Sequence, residues 1–175
     1  MSNISEIHRR IVSFDIPYPA IYGGVIDVFF RIKSLHERNV KVHLHCFEYG
    51  RQHSEYLENF CYSVNYYKRA TNISKLFNSL PYIVCSRDSK ELLDNLKKDN
   101  YPILLEGLHC CGILLDADIQ KRNVIVRAHN VEHEYYDNLA KSEKNIKKKM
   151  YLKQEVLKLH NFESILNKAS AILAI

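Results

Sequence analysis

Three short stretches of this chain carry residue types that can do chemistry. Gly23 and Gly24 are adjacent. Two glycines together let backbone amides approach a ligand closely and offer a helix N-terminus to an anion. The pair reads equally as a tight turn that needs positive φ. It is neither the spaced glycine fingerprint of dinucleotide sites nor a phosphate loop ending in Lys-Ser/Thr. Glu106-Gly107-Leu108-His109-Cys110-Cys111 places an acid three residues before a histidine. Glu106 and His109 can serve as acid–base or hydroxyl-binding groups. Equally, Glu106 can bond backbone or a neighbouring cation while His109 opens a helix. Arg127-Ala128-His129-Asn130-Val131-Glu132-His133-Glu134 offers His129, which can donate to a sugar hydroxyl or stabilise charge without a metal. Its plainer role is to support or cap a neighbour.

Metal chemistry has one literal match. His129-Asn130-Val131-Glu132-His133 spells the inverted zinc-peptidase motif H-x-x-E-H. That motif needs both histidines on one helical face, a third ligand elsewhere and the Glu as base. His129 is predicted to end a strand, so the two histidines need not share a face. A zinc-dependent hydrolase using His129 and His133 stays open as an alternative. His43 and His45 share a strand face at i, i+2, a weaker version of the same signal.

These residues need elements to hold them. Strands are predicted at 11–16, 40–47, 62–67, 82–86, 102–106, 124–128 and 171–175, as short apolar or β-branched runs. Val25, Val28, Phe29, Ile32 and Leu35 mark one face of a helix. A short helix is expected within Asn72–Leu80, another after Asp88 as its cap, and a long helical tract from Glu132 to Lys168 broken near Glu143–Asn145. Strand alternating with helix implies a doubly wound, mostly parallel sheet, Rossmann-like, in three α/β/α layers. Ligands bind such sheets beyond the carboxyl ends of the strands. All three stretches fall there, with Asn130 placed to cap the helix that follows His129.

Composition excludes several classes. A chain of 175 residues with 46% hydrophobic and 26% charged content can bury a core, so it is not intrinsically disordered. Five cysteines inside apolar runs read as reduced thiols rather than a disulfide framework, and no apolar leader follows Met1, which suggests a cytoplasmic setting. Vicinal Cys110 and Cys111 read as small core residues. The net charge is +5, and all of it lies in residues 121–168, which hold 11 Lys/Arg and 6 Asp/Glu. No nucleic-acid partner is expected from so local an excess. Its centre is Lys144, Lys147, Lys148, Lys149 and Lys153, with Ile146, Met150, Leu152, Val156, Leu159 and Leu166 on an apolar side. Such a helix is either a solvated face or a peripheral contact with anionic membrane.

Taken in order, these motifs resemble a known family. Asp15-Ile16-Pro17 through Gly23-Gly24, the helix after them and Lys41–Phe47 resemble the start of family 4 glycosyltransferases. Leu104–His109, Val126–Glu132, and Glu163 with Ala171–Ile175 are similar to one bacterial subgroup of that family. The resemblance implies a two-domain GT-B enzyme of which residues 1–175 form a single Rossmann-like N-terminal, acceptor-side domain. The implied reaction moves a sugar, with retention, from a nucleotide-sugar donor to a glycan or lipid-linked acceptor, with no metal or other cofactor expected. It assigns Gly23 and Gly24 to the phosphates and His129 to the transferred sugar. Glu106 and His109 match subgroup positions and are counted with the substrate-binding residues, without defined roles. The nucleotide-sugar-binding C-terminal domain is absent from this chain, so these residues alone are expected to fold without transferring sugar. A non-catalytic doubly wound binding module is the remaining alternative.

Overall fold

β1 (Ile7–Ser13), β2 (Val40–Glu48), β3 (Ser63–Lys68), β4 (Ile103–Glu106), β5 (Val124–Ala128) and β6 (Ala171–Ala174) lie side by side in the order β3-β2-β1-β4-β5-β6. The structure, a computed structural model, describes residues 6–174, so Ile175 of the last predicted strand lies outside the described residues. Every strand pairing is parallel, and helices cover both faces. The expected three-layer, Rossmann-like α/β/α class is therefore present, with a wholly parallel sheet.

Side chains alternate between the two faces, as the pleat requires. Ile11, Val42, Leu44 and Cys46 pack against Val28, Phe29 and Ile32 of α1 (Gly23–Glu37). Val12, Leu105, Val124 and Val126 face the opposite layer, which holds α2 (Tyr82–Cys85), α3 (Lys90–Leu96), α4 (Ala117–Gln120) and α6 (Ile146–Phe162). Each fully buried aliphatic side chain of this kind contributes about 1.5–3 kcal/mol. α5 (Glu132–Ser142) pairs with α6 as a hairpin, broken at Glu143–Asn145 where the sequence predicts it; Asn145 Oδ1 caps α6 by accepting from Lys148 N. Among the described residues no helix is long and apolar enough to cross a membrane.

Four local expectations are corrected. Residues 82–86 form no strand: Tyr82–Cys85 is a helical turn after Pro81. A short apolar run does not distinguish the two by period. The deciding partner is Glu155, 73 positions away, whose buried carboxylate accepts from Tyr82 N at 2.6 Å and satisfies the helix start. β1 starts at Ile7 and stops at Ser13 rather than running 11–16. Its first half is disguised by polar residues, and its end is turned by Ser13 Oγ donating to Asp15 O and Ile16 N donating to Asp15 Oδ1. Within Asn72–Leu80 only a 3₁₀ turn forms, at Ile73–Phe77. α3 is capped by Ser89 rather than Asp88: the Ser89 hydroxyl accepts from Leu92 N.

The strand order decides where a ligand can enter. From β1 the chain proceeds outward to β2 and β3, then returns to place β4, β5 and β6 on the other side. Connections leave β1 and β4 in opposite directions, which opens a crevice beyond their carboxyl ends.

Candidate functional site

A cavity of about 540 Å³ opens at that crevice, lined by Phe14, Tyr22, Gly24, His109, His129 and Glu132 among others. Four elements converge on it: the turn after β1, the start of α1, the turn after β4, and the turn from β5 into α5.

His129 follows the last residue of β5, and its Nε2 lies 3.0 Å from Glu106 Oε2 at the end of β4. Glu106 is fully buried. Its carboxylate is shared: Arg127 Nη1 donates to Oε2 at 3.4 Å, and Arg31 Nε lies 3.3 Å from Oε1 without the angle of a hydrogen bond. Both arginines also reach Asp27, Arg127 directly and Arg31 at 3.2 Å. Glu106 Oε2 accepts from the Nε2–H of His129, which leaves Nδ1 on the side of the ring away from that carboxylate. Of the two roles open for Glu106, the structure shows it bonded to neighbouring cations and also to His129.

Asp27, Glu106 and His129 each bring a ligand-type atom within 4.8 Å of the others. Two guanidinium groups already neutralise those carboxylates, so this donor set fits an ion-pair network better than a cation. His133 belongs elsewhere: its Nδ1 lies 2.7 Å from Glu163 Oε2, its N donates to Glu163 Oε1, and its ring meets His160 edge-on. The two histidines of the H-x-x-E-H stretch thus sit on different carboxylates and line different cavities.

His109 faces the cavity from the turn after β4, tilted against the Phe14 ring. Its Nδ1 is buried without a hydrogen-bond partner among the described residues, 3.9 Å from Glu132 Oε1. Burial first, then the charges of Arg87, Arg69 and His129, push its pKa well below the usual imidazole value, so it is neutral at pH 7. Burial raises the Glu132 carboxyl above its ordinary range, against a hydrogen bond from Asn130 that lowers it. A neutral histidine beside a carboxyl shifted toward neutrality can exchange a proton with a bound hydroxyl. Gly107 holds φ +77°, which no side chain tolerates easily, and a Cβ there would lie 3.1 Å from His109 Nδ1.

The paired glycines take ordinary helical backbone at the start of α1, and neither has positive φ. The tight-turn reading is therefore replaced by close packing: a Cβ on Gly24 would stand 2.6 Å from Phe14 Cζ, whereas one on Gly23 meets nothing within 4 Å. No side chain caps α1 and its first turn holds no acid, so its leading amides remain for a ligand. Asp15 braces this turn by accepting from Tyr22 OH at 2.5 Å, and burial with that bond pushes the Tyr22 phenol up to about 12.

No family model matches the chain. A Klebsiella pneumoniae protein, named "Uncharacterized 44.6 kDa protein in cps region", is 34% identical over 154 residues. The match covers 84% of this chain and 39% of that protein. The chain thus spans about two fifths of the relative's length.

Of the predicted site residues, Gly24, His109 and His129 line the cavity, Glu106 lies directly behind His129, and Gly23 opens α1 beside them. The predicted cap Asn130 is replaced by Val131, which offers no side-chain cap, and Asn130 lines the cavity instead. Glu132 enters the sequence reading as the would-be base of the H-x-x-E-H match, whereas the structure sets it beside His109. Asp27 and Arg31, one helical turn apart on α1, carry no local signal of their partners Arg127 and Glu106, 100 and 75 positions away. The lysine cluster lies away from the cavity lining. Lys144, Lys147, Lys148 and Lys153 are exposed and Lys149 is half-buried, while Ile146, Met150 and Leu157 stand open beside them. Cys110 and Cys111 are buried free thiols in the core, and burial pushes both upward, Cys110 to about 12.

Proposed function

We propose that this chain is the acceptor-side domain of a retaining family 4 glycosyltransferase that moves a sugar from a nucleotide-sugar to a glycan or lipid-linked acceptor. The observation that carries this reading is His129, held by buried Glu106 at the mouth of the crevice between β1 and β4. In this reading the cavity receives the transferred sugar. His129 contacts its hydroxyls, and the uncapped start of α1 at Gly23 and Gly24 faces phosphate. His109 and Glu132, 3.9 Å apart, receive the acceptor hydroxyl. The nucleotide is held by a further domain, for which the relative's additional length leaves room. A cps region is a setting compatible with polysaccharide biosynthesis.

The exposed Ile146, Met150 and Leu157 beside Lys147, Lys148 and Lys153 support a peripheral, cytoplasmic-side contact with anionic lipid. Such a contact brings the crevice to a lipid-linked acceptor. The test of the main reading is transfer of labelled sugar from a panel of nucleotide-sugars to lipid-linked acceptors, with this chain in its complete gene product. At least one donor is expected to turn over; no turnover from any donor contradicts the proposal.

A further inference from the structure

Four of the nine arginines are paired with acids. Arg10, Arg31, Arg122 and Arg127 each have a carboxylate nearby: Asp99 at 2.5 Å from Arg10 and 3.6 Å from Arg122, Glu106 at 3.3 Å from Arg31, and Asp27 on Arg127. The other five, Arg9, Arg38, Arg51, Arg69 and Arg87, have no acid within 4 Å among the described residues, and of these only Arg87 is buried, at 6% exposed. Arg87 is held by carbonyls alone, its Nε donating to Phe14 O at 3.0 Å and its Nη1 to Ile83 O at 2.7 Å. Its Nη2 has no partner among the described residues. Arg69 donates through Nη2 to Ser86 Oγ at 2.9 Å, while its Nε is buried and has no partner among the described residues. Its guanidinium rests 4.3 Å from the centroid of Tyr49 and 5.9 Å from that of Tyr82.

Arg69 bonds Ser86, the residue before Arg87, so the two side chains belong to one corner of the fold, where Arg87 lines a neighbouring cavity of about 600 Å³ with Leu80, Val84 and Lys90. Arg69 adds to burial in depressing Arg87 to about 10, and both depress His109 in the cavity. Phe14, whose carbonyl Arg87 grips, supplies its ring to that same cavity. Placing a buried and a half-buried guanidinium together with no acid in contact is costly, and Asp15 and Glu132 offset that cost only from beyond contact distance. Carbonyl oxygens and aromatic faces recover part of that cost without supplying opposite charge. An incoming anion supplies it, and a guanidinium fork matches the paired oxygens of carboxylate or phosphate.

We propose that Arg69 and Arg87 form a subsite for an anionic group, carboxylate or phosphate, carried by the acceptor. That the anion belongs to an acceptor rests on the glycosyltransferase reading; the anion subsite itself does not. It implies an acceptor that is either an acidic sugar or a phosphate-linked one, and it sets a neutral glycan aside.

The test is calorimetric titration of the chain with inorganic phosphate, glucuronate and glucose at constant ionic strength. At least one anion is expected to bind saturably where glucose does not, and the anion that binds identifies the source. Arg69→Gln is expected to weaken that binding tenfold or more, on the scale of one lost charge-assisted contact. Arg9→Gln, an exposed residue at the amino end of β1, is expected to leave it unchanged. Arg87→Lys, with its folding checked by circular dichroism, is expected to weaken binding in the same direction. Binding of neither anion, or binding retained by Arg69→Gln, overturns the subsite. No sugar transfer enters this readout, so its failure is separate from failure of the glycosyltransferase reading.

Discussion

Replacing Glu106 with glutamine keeps the shape of the side chain and removes the charge that His129, Arg127 and Arg31 share. Glu106 is fully buried, and its partners stand at 3.0, 3.4 and 3.3 Å. Breaking a buried ion pair by removing one partner costs roughly 3–5 kcal/mol, because the other charge is left uncompensated. Two features reduce that here: Arg31 is about a quarter exposed, and both arginines keep Asp27. A loss of about 2–3 kcal/mol is therefore expected. With a urea m-value of about 2 kcal/mol/M, the unfolding midpoint falls by roughly 1–1.5 M. His129→Ala alone removes a partly exposed ring and is expected to cost about 1 kcal/mol or less. The double variant is expected to show coupling of about 0.5 kcal/mol or more between the two sites. Urea titration by circular dichroism reads all three quantities. A midpoint for Glu106→Gln within about 0.2 M of the parent, or additivity in the cycle, refutes the view that Glu106 anchors this network and His129 with it.

The neighbouring glycines are expected to respond with opposite signs. Gly23→Ala raises stability by about 0.5 kcal/mol or more, since its Cβ is unopposed, whereas Gly24→Ala lowers it by about 1–3 kcal/mol through collision with Phe14; urea midpoints decide. Glu155→Gln weakens the start of α2 and frees Lys158, with an expected loss of about 2 kcal/mol in the same measurement. Acid should weaken the fold through His45, which accepts from Arg10 at Nε2 and is depressed to about 3 by burial first and then by Arg10. The unfolded chain takes up that proton near pH 6.5 and the folded chain does not. Stability is thus full above pH 6.5 and falls below it by about 1.4 kcal/mol per pH unit from this group alone. His45→Gln should flatten that slope between pH 6.5 and 5; an unchanged slope contradicts it. Vesicles with anionic lipid should co-sediment the chain and neutral vesicles should not; equal binding to both removes the electrostatic part of the membrane contact.

Much of the architecture was readable because apolar periodicity and short-range signals agree along most of the chain. The faces of α1, the break at Glu143–Asn145 and the strands β2 to β5 all follow from residues within a few positions of one another. Two of the failures share a physical cause, a deciding partner far away in sequence, whereas the end of β1 and the Ser89 cap are set by neighbours within three positions. Tyr82–Cys85 becomes helical because Glu155 receives its first amide, and β1 extends back through Arg10 because Asp99 neutralises that arginine. The candidate site shows the same division. Gly24, His109 and His129 were readable as chemistry at strand ends. Asp27, Arg31 and the buried position of Glu132 became visible only when α1, β4 and α5 met at one crevice. The reason for Gly24 likewise lay in Phe14, ten residues earlier, rather than in its own backbone angles.

The central claim is that the cavity behind Phe14 holds the transferred sugar against His129. It is tested most directly by the single-turnover rate of sugar transfer in the complete gene product carrying His129→Ala, with folding verified by the urea midpoint. A fall of a hundredfold or more, on the scale of losing a positioned catalytic hydrogen bond, is the predicted result. A rate within twofold of the parent protein contradicts the account.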